Sequence, residues 1–231
     1  IVFSSMSKTD HLRNVPIFTD LSDSDLTKIS TKMVSREYEK GQIILLEESM
    51  GETFFIITRG TVKVTRLSDD GREVILAMLG ESDFFGEMSL LDGEGRSANI
   101  VANENAEVMT LSRRDFLECL ESYPKIAIAL LEELAVRLRK SDQQIESLSL
   151  SDSEQRIGIT LIRLAEERGT IKRGNVIVHN LPFQQDIANM AGTSRETVSR
   201  TLKLLEDKKL VKRDGSDITI YNFSAFQESF S

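Results

Sequence analysis

Glu87, Arg96 and Ser97 are the residues whose types and spacing best suit a small charged ligand; they lie between Asp83 and Asn99. Gly86-Glu87-Met88-Ser89 reads as a tight turn opening a short helix from Glu87 to Leu91. The free N–H groups at such a helix start form an anion site. Ten residues after Gly86, a loop containing Gly93 and Gly95 delivers Arg96 and Ser97. A guanidinium can bond two phosphate oxygens at once, and the neighbouring hydroxyl can donate a third bond. Glu87 is then the nearby acceptor for sugar hydroxyls, and phosphate with sugar implies a nucleotide. A plainer alternative pairs Arg96 with Glu87 at a corner of the fold. Phe84, Phe85, Leu90, Leu91 and Ala98 suit a lined pocket and a core equally.

A second constellation runs from Asp186 to Glu206. Ile187, Met190 and Ala191 close the apolar face of a short helix, Gly192 supplies a turn, and Val198, Leu202 and Leu205 face inward from a second helix. Arg195, Glu196, Ser199, Arg200 and Lys203 turn outward. This is a helix-turn-helix whose second helix can read base edges in the major groove. The same residues fit a plain helical hairpin, with Thr193-x-x-Glu196 as a capping box. Leu210 to Asn222 favours the DNA reading, because it resembles a hairpin turning at Asp214-Gly215. Such a wing would carry Lys212 and Arg213 past the phosphate backbone.

The elements that must position these residues change along the chain. Residues 1–30 predict a helical lead-in interrupted at Pro16 and at Ser22-Asp23-Ser24. From about 34 to 112, short apolar runs (Ile43, Thr53, Thr61, Val74 and Val108 begin them) are punctuated by Gly41, Gly51, Gly60, Gly71 and Gly80. That rhythm predicts an antiparallel barrel or jelly roll, with a hairpin turn at Asp69-Asp70-Gly71. From Arg113 the period is helical. Ala127, Leu131, Leu134, Leu138, Ser141, Ile145 and Leu148 form a seam stepping by four and three. This is coiled-coil spacing and predicts a homodimer, the alternative being one long helix packed on its own domain. A polar joint at Ser149–Ser153 precedes a helix over Glu154–Arg168.

The fold expected is therefore α+β. Its parts are an N-terminal antiparallel jelly roll with a lead-in helix (1–112), a dimerisation helix (113–148), a hinge (149–153) and a winged helix-turn-helix (154–231). The net charge of −8 divides unevenly: residues 151–231 carry twelve Lys/Arg against eleven Asp/Glu, and the remainder seventeen against twenty-six. Acidity belongs to the first part and does not count against DNA binding. No run of eighteen apolar residues spans a membrane, and the first residues lack the pattern of a secretory signal. The single cysteine, Cys119, suits a reducing cytoplasm.

Two motifs carry a family resemblance. Gly86-Glu87-Met88-Ser89 followed by Arg96-Ser97-Ala98 resembles the phosphate-binding cassette of cyclic-nucleotide-binding domains. Gly192-Thr193-Ser194-Arg195-Glu196-Thr197-Val198 is similar to the recognition-helix motif of the cyclic AMP receptor protein / fumarate-nitrate reduction regulator (CRP/FNR) family of bacterial transcription factors. The likeness spans about residues 12–224. It implies a cAMP effector, with Glu87 on the ribose 2′-hydroxyl, Arg96 and Ser97 on the cyclic phosphate, and backbone contacts at Gly86 and Ser89. Met88, Ala98 and Arg137 join the implied ligand set, and Ser141 falls to the adenine amino group. Asp142 stands where the family typically has a small hydroxyl. A carboxylate can also accept from guanine, so cGMP stays open as effector. For DNA, the resemblance implies Arg195, Glu196 and Arg200 at base edges. Ser194, Ser199 and Lys203 are their neighbours or phosphate contacts, and the site is palindromic with TGTGA-like halves. An activator would also meet RNA polymerase.

Other functions find little in the sequence. An iron–sulfur sensor needs several cysteines, and His11 and His179 lie outside the barrel where haem ligands would stand. No phosphate-binding Walker loop, metal-ligand cluster or nucleophile–base pair suggests an enzyme.

Overall fold

The computed structural model describes residues 7–69 and 71–230; Asp70, and with it the centre of the expected turn at Asp69-Asp70-Gly71, lies outside the described residues. The chain folds as two compact units, one up to Arg139 and one from Lys140 on.

In the first unit, α1 (Lys8–Arg13) starts on a capping box made by Ser7 and Asp10. A 3₁₀ turn (Pro16–Phe18) follows, then α2 (Asp23–Thr31), whose first turn is capped by Ser22 accepting from Asp25 N. Ser22 therefore starts a helix where the sequence suggested a break. Eight strands come next: β1 (Val34–Tyr38), β2 (Ile43–Leu45), β3 (Thr53–Arg59), β4 (Val62–Leu67), β5 (Glu73–Leu79), β6 (Phe84–Phe85), β7 (Asn99–Ala102) and β8 (Ala106–Ser112). They form two antiparallel sheets ordered β1-β8-β3-β6 and β2-β7-β4-β5, the jelly roll expected. A short helix, α3 (Met88–Asp92), lies between β6 and β7.

Strand β3 explains its own unbroken apolar sequence. Phe55 and Ile57 face the barrel interior with Val62, Phe85, Ile100 and Val108. Phe54 and Ile56 face outward, under the helical layer of Leu12, Phe18, Leu26, Phe116, Ile126 and Leu130. A strand buried on both faces cannot alternate polar and apolar residues.

The helical stretch after the barrel is two helices, not one: α4 (Arg113–Ser122) and α5 (Pro124–Leu150). Pro124 has no N–H to donate to α4 and is pre-set for a first helical position, so the chain breaks and restarts there. Helix α5 sinks Ile126 and Leu130 into the core, yet Leu131, Leu138 and Ile145 are each more than 60% exposed. Among the described residues this apolar row is left exposed.

In the second unit, α6 (Ser153–Arg168) begins on Asp152, which accepts from Gln155 N. Strands β9 (Gly169–Lys172) and β10 (Asn175–Val178) follow, then α7 (Gln184–Ala191), α8 (Arg195–Asp207), β11 (Val211–Asp214), β12 (Asp217–Ile220) and α9 (Phe223–Ser229). The four strands make one sheet ordered β11-β12-β10-β9. A single core joins Ile157, Leu161, Val176, Ile187, Val198, Leu202, Leu205, Ile218 and Phe226. Among the described residues no helix is long and apolar enough to cross a membrane.

Candidate functional site

The loop between β6 and β7 gathers the first set of residues. Gly86 sits at φ +84, and a Cβ there would press on Arg96 Nη1 and Thr53 O, so only glycine fits. Glu87 stands at the N-cap position of α3 without a side-chain capping bond and is 2% exposed, Ser89 4% and Arg96 5%. Arg96 donates from Nη1 to Gly86 O (2.6 Å) and from Nη2 to Thr53 O (2.8 Å). Its Nε and the Ser89 Oγ are buried with no hydrogen-bond partner among the described residues. Both atoms face Gly51, where any Cβ would overlap Ser89 Oγ and Arg96 Cζ. Buried donors left unmade are costly, so this cradle is set up for an acceptor. Burial draws Arg96 below the ordinary arginine range, partly countered by Glu87.

Glu87 does not pair with Arg96. It accepts from Arg137 Nη1 at 3.0 Å, which corrects the plainer Arg96–Glu87 pairing. Arg137, on α5, also donates to Phe84 O (2.8 Å) and stands 4.5 Å over the Phe84 ring. Burial pushes the Glu87 carboxyl above its usual range, opposed first by Arg137 and then by its own backbone and by Arg96. Ser97 is exposed, its Oγ 3.8 Å from Met88 Sδ, while Ala98 is buried and Met88 half exposed. Ser141 and Asp142 lie exposed on the part of α5 that belongs to the second unit. Sequence reading overlooked Gly51 and the two carbonyls that hold Arg96; the glycine had served only as a turn marker.

The second set is carried by α7 and α8. Gly192 ends α7 in the left-handed region at φ +59, as the turn requires. The cap of α8 is Ser194, which accepts from Thr197 N at 3.2 Å, and not Thr193 as a capping box would need. Val198, Thr201, Leu202 and Leu205 are buried, and Arg195, Glu196, Ser199, Arg200 and Lys203 are exposed along the other face. Its own backbone N–H and the neighbouring Ser194 hydroxyl hold the Glu196 carboxyl below the usual range. Ser194 Oγ lies 3.0 Å from Thr197 Oγ1, which accepts from Arg200 Nη2 (3.3 Å). Arg156 of α6 was not singled out in the sequence. It donates to Ala191 O (2.8 Å), Gly192 O (3.1 Å) and Ser151 O (2.8 Å), satisfying the orphan carbonyls at the end of α7.

The wing turns at Gly215-Ser216 and presents an exposed Lys212. Arg213 is engaged within the protein. Its Nη2 donates to Glu206 Oε2 (2.6 Å) and its backbone N to Oε1 (3.1 Å). Alternation along β11 places Arg213 on the face of buried Val211, a period-two signal that the sequence already contained. Cys119 is buried, and desolvation pushes its thiol pKa up to about 11, which favours the protonated thiol over the nucleophilic thiolate. Among the described residues no cluster of three or more His, Cys, Asp or Glu could hold a metal ion.

Comparison with known proteins agrees with both halves. Residues 35–123 match the cyclic nucleotide-binding domain family, and residues 155–229 match the Crp-like helix-turn-helix domain family. The chain is 30% identical over 217 residues to the cyclic AMP receptor protein of Thermus thermophilus, covering 94% of this chain and 97% of that one. It is 33% identical over 186 residues to the cAMP-activated global transcriptional regulator CRP of Pasteurella multocida, covering 80% and 88%. Its fold is shared with the solved structure of FixK2 from Bradyrhizobium japonicum, at TM-score 0.76 and 22% identity, covering 85% and 96%. With a cyclic-nucleotide-binding domain, a long helix and a helix-turn-helix domain in this order, the chain belongs to the CRP/FNR family of transcription regulators.

Proposed function

We propose that this regulator is a homodimer that binds cAMP through the β6–β7 loop and, when loaded, reads a two-fold DNA site with TGTGA-like halves. The observation that carries the ligand is the cradle at Gly51, where two buried donors, Arg96 Nε and Ser89 Oγ, lack an acceptor. A phosphate supplies one. The donor set fits a cyclic nucleotide: Arg96, Ser97 and the Ser89 hydroxyl serve the phosphate, Gly86 and Ser89 add backbone contacts, and Glu87 takes the ribose hydroxyl. Arg137 favours the ionised form of Glu87, opposing the burial that pushes its carboxyl upward. Met88 and Ala98 line the same loop. Ser141 is assigned to the adenine amino group on the family resemblance, with Asp142 contributed across the two-fold.

The exposed row of Leu131, Leu138 and Ile145 supports the dimer, which sets two recognition helices one DNA turn apart. Arg195 and Arg200 match guanine O6 and N7, and Glu196 accepts from cytosine N4. Ser194, Ser199 and Lys203 flank them, and Lys212 reaches a phosphate from the wing. RNA polymerase is the further partner if the chain activates transcription, and its work is placed in the cytoplasm. The names of the Thermus and Pasteurella relatives favour cAMP; Asp142 favours a second reading, cGMP, because its carboxylate can accept both guanine donors. Calorimetric titration of both nucleotides decides. Tighter cAMP binding upholds the proposal, tighter cGMP binding replaces the effector, and no binding of either removes the ligand assignment.

A further inference from the structure

The pair Arg213–Glu206 joins the wing to the far end of the recognition helix, and its geometry gives Arg213 a task other than touching DNA. In the β11–β12 hairpin Val211 faces Ile220 and Arg213 faces Ile218. Facing residues of an antiparallel pair share one side of the sheet. Val211, Ile218 and Ile220 are buried, so Arg213 leaves the hairpin on its inner side, and its Nε is buried. Lys212 and Asp214, opposite Thr219 and Asp217, take the outer side. Glu206 accepts both the Arg213 backbone N–H and its guanidinium, two bonds from one carboxylate across α8 and β11.

The rest of the wing follows the same plan. Asp217 accepts from Asn180 N (3.0 Å) and lies 2.6 Å from His179 Nδ1, while Leu181 N donates to Ser216 O (2.7 Å). The hairpin is thus tied through β11 to α8 and at its tip to the segment before α7. Among the described residues its outer side carries one cation, Lys212, beside Asp214. A wing of this charge gains little from phosphates by itself. Its contribution depends on where Lys212 is held.

We propose that Arg213 is a positioning residue for DNA binding: through Glu206 it sets the height of the wing against the recognition helix, and it makes no phosphate contact. This rests on the reading that the winged helix-turn-helix takes duplex DNA. The two roles differ in sign at Glu206. If Arg213 met phosphate, removing the nearby negative charge would strengthen binding; if the pair positions the wing, the same change weakens it.

The test uses the full chain with saturating cAMP and a fluorescent mixed-sequence duplex, with anisotropy read over a range of salt concentrations. Glu206→Gln and Arg213→Gln should each weaken binding about fivefold, the net worth of about one hydrogen bond. The slope of log K against log salt should stay at the parent value. Lys212→Gln, by contrast, should flatten it by about one released counterion. Glu206→Asp keeps both charge and fold while shortening the reach, and should still weaken binding by about twofold or more. Tighter binding by Glu206→Gln, parent-like binding by Glu206→Asp, or a flattened slope in Arg213→Gln would overturn the inference. A parent that binds no duplex would instead remove the DNA reading itself, and the inference with it.

Discussion

Replacing Arg96 by leucine perturbs fold and ligand site together, and the structure separates the two effects. In the fold, Arg96 is the donor to Thr53 O and Gly86 O, and the side chain is almost wholly buried. Leaving both carbonyls unsatisfied costs about 1–3 kcal/mol each. Removing a buried cation returns part of this, because its desolvation is no longer borne. A net loss of roughly 2–4 kcal/mol follows, and at about 2–4 °C per kcal/mol the melting temperature should fall by roughly 4–16 °C. In the ligand site, the phosphate loses its one cation. Affinity for cAMP should fall by more than about tenfold, or roughly 1.4–3 kcal/mol. Circular dichroism fixes a temperature at which the variant is folded, and calorimetry at that temperature measures binding. Arg96→Lys serves as a control, since it keeps the charge but cannot bridge both carbonyls. A folded Arg96→Leu that binds cAMP as tightly as the parent would refute the pocket assignment.

Three further outcomes are expected. Leu138→Glu places a charge in the exposed row of α5 and should yield a monomer by analytical ultracentrifugation; an unchanged dimer would move the interface elsewhere. Asp142→Ser should leave cAMP affinity largely intact while lowering any affinity for cGMP, read by competition between the two nucleotides; an unchanged ratio would clear Asp142 of base choice. Arg195→Ala should cost about 1–3 kcal/mol on the best site and relax choice at one guanine in each half, as measured by randomised-site selection. A parent selection with no guanine in both halves would remove that helix face as the reader.

The sequence was most legible where spacing carries the information. The seam from Ala127 to Leu148, the Gly192 turn, and the cassette from Gly86 to Ala98 each depend on residue type and interval, and each lies on the element expected. Three things escaped. Strands β9 and β10 and the helix α9 were missed because four-residue strands and a seven-residue helix leave too short a period to detect. The break between α4 and α5 was missed because apolar spacing runs on across Tyr123, although Pro124 marked it. Partner choice was the least legible. That Glu87 meets Arg137 and Arg213 turns inward to Glu206 are facts of three-dimensional proximity. For Arg213 alone a local clue existed, in its alternation with Val211.

The central claim is that cyclic nucleotide and DNA act on one protein through a shared conformational preference. Linkage makes this testable without any structure of the complex. If cAMP tightens DNA binding by some factor, DNA must tighten cAMP binding by the same factor. The measurement is therefore a closed cycle on this chain: the Kd for a duplex with two TGTGA halves, with and without cAMP, and the Kd for cAMP, with and without that duplex. The account predicts two ratios that agree and exceed about fivefold, the lower end of ordinary allosteric coupling. Binding of each ligand with both ratios at one would contradict it.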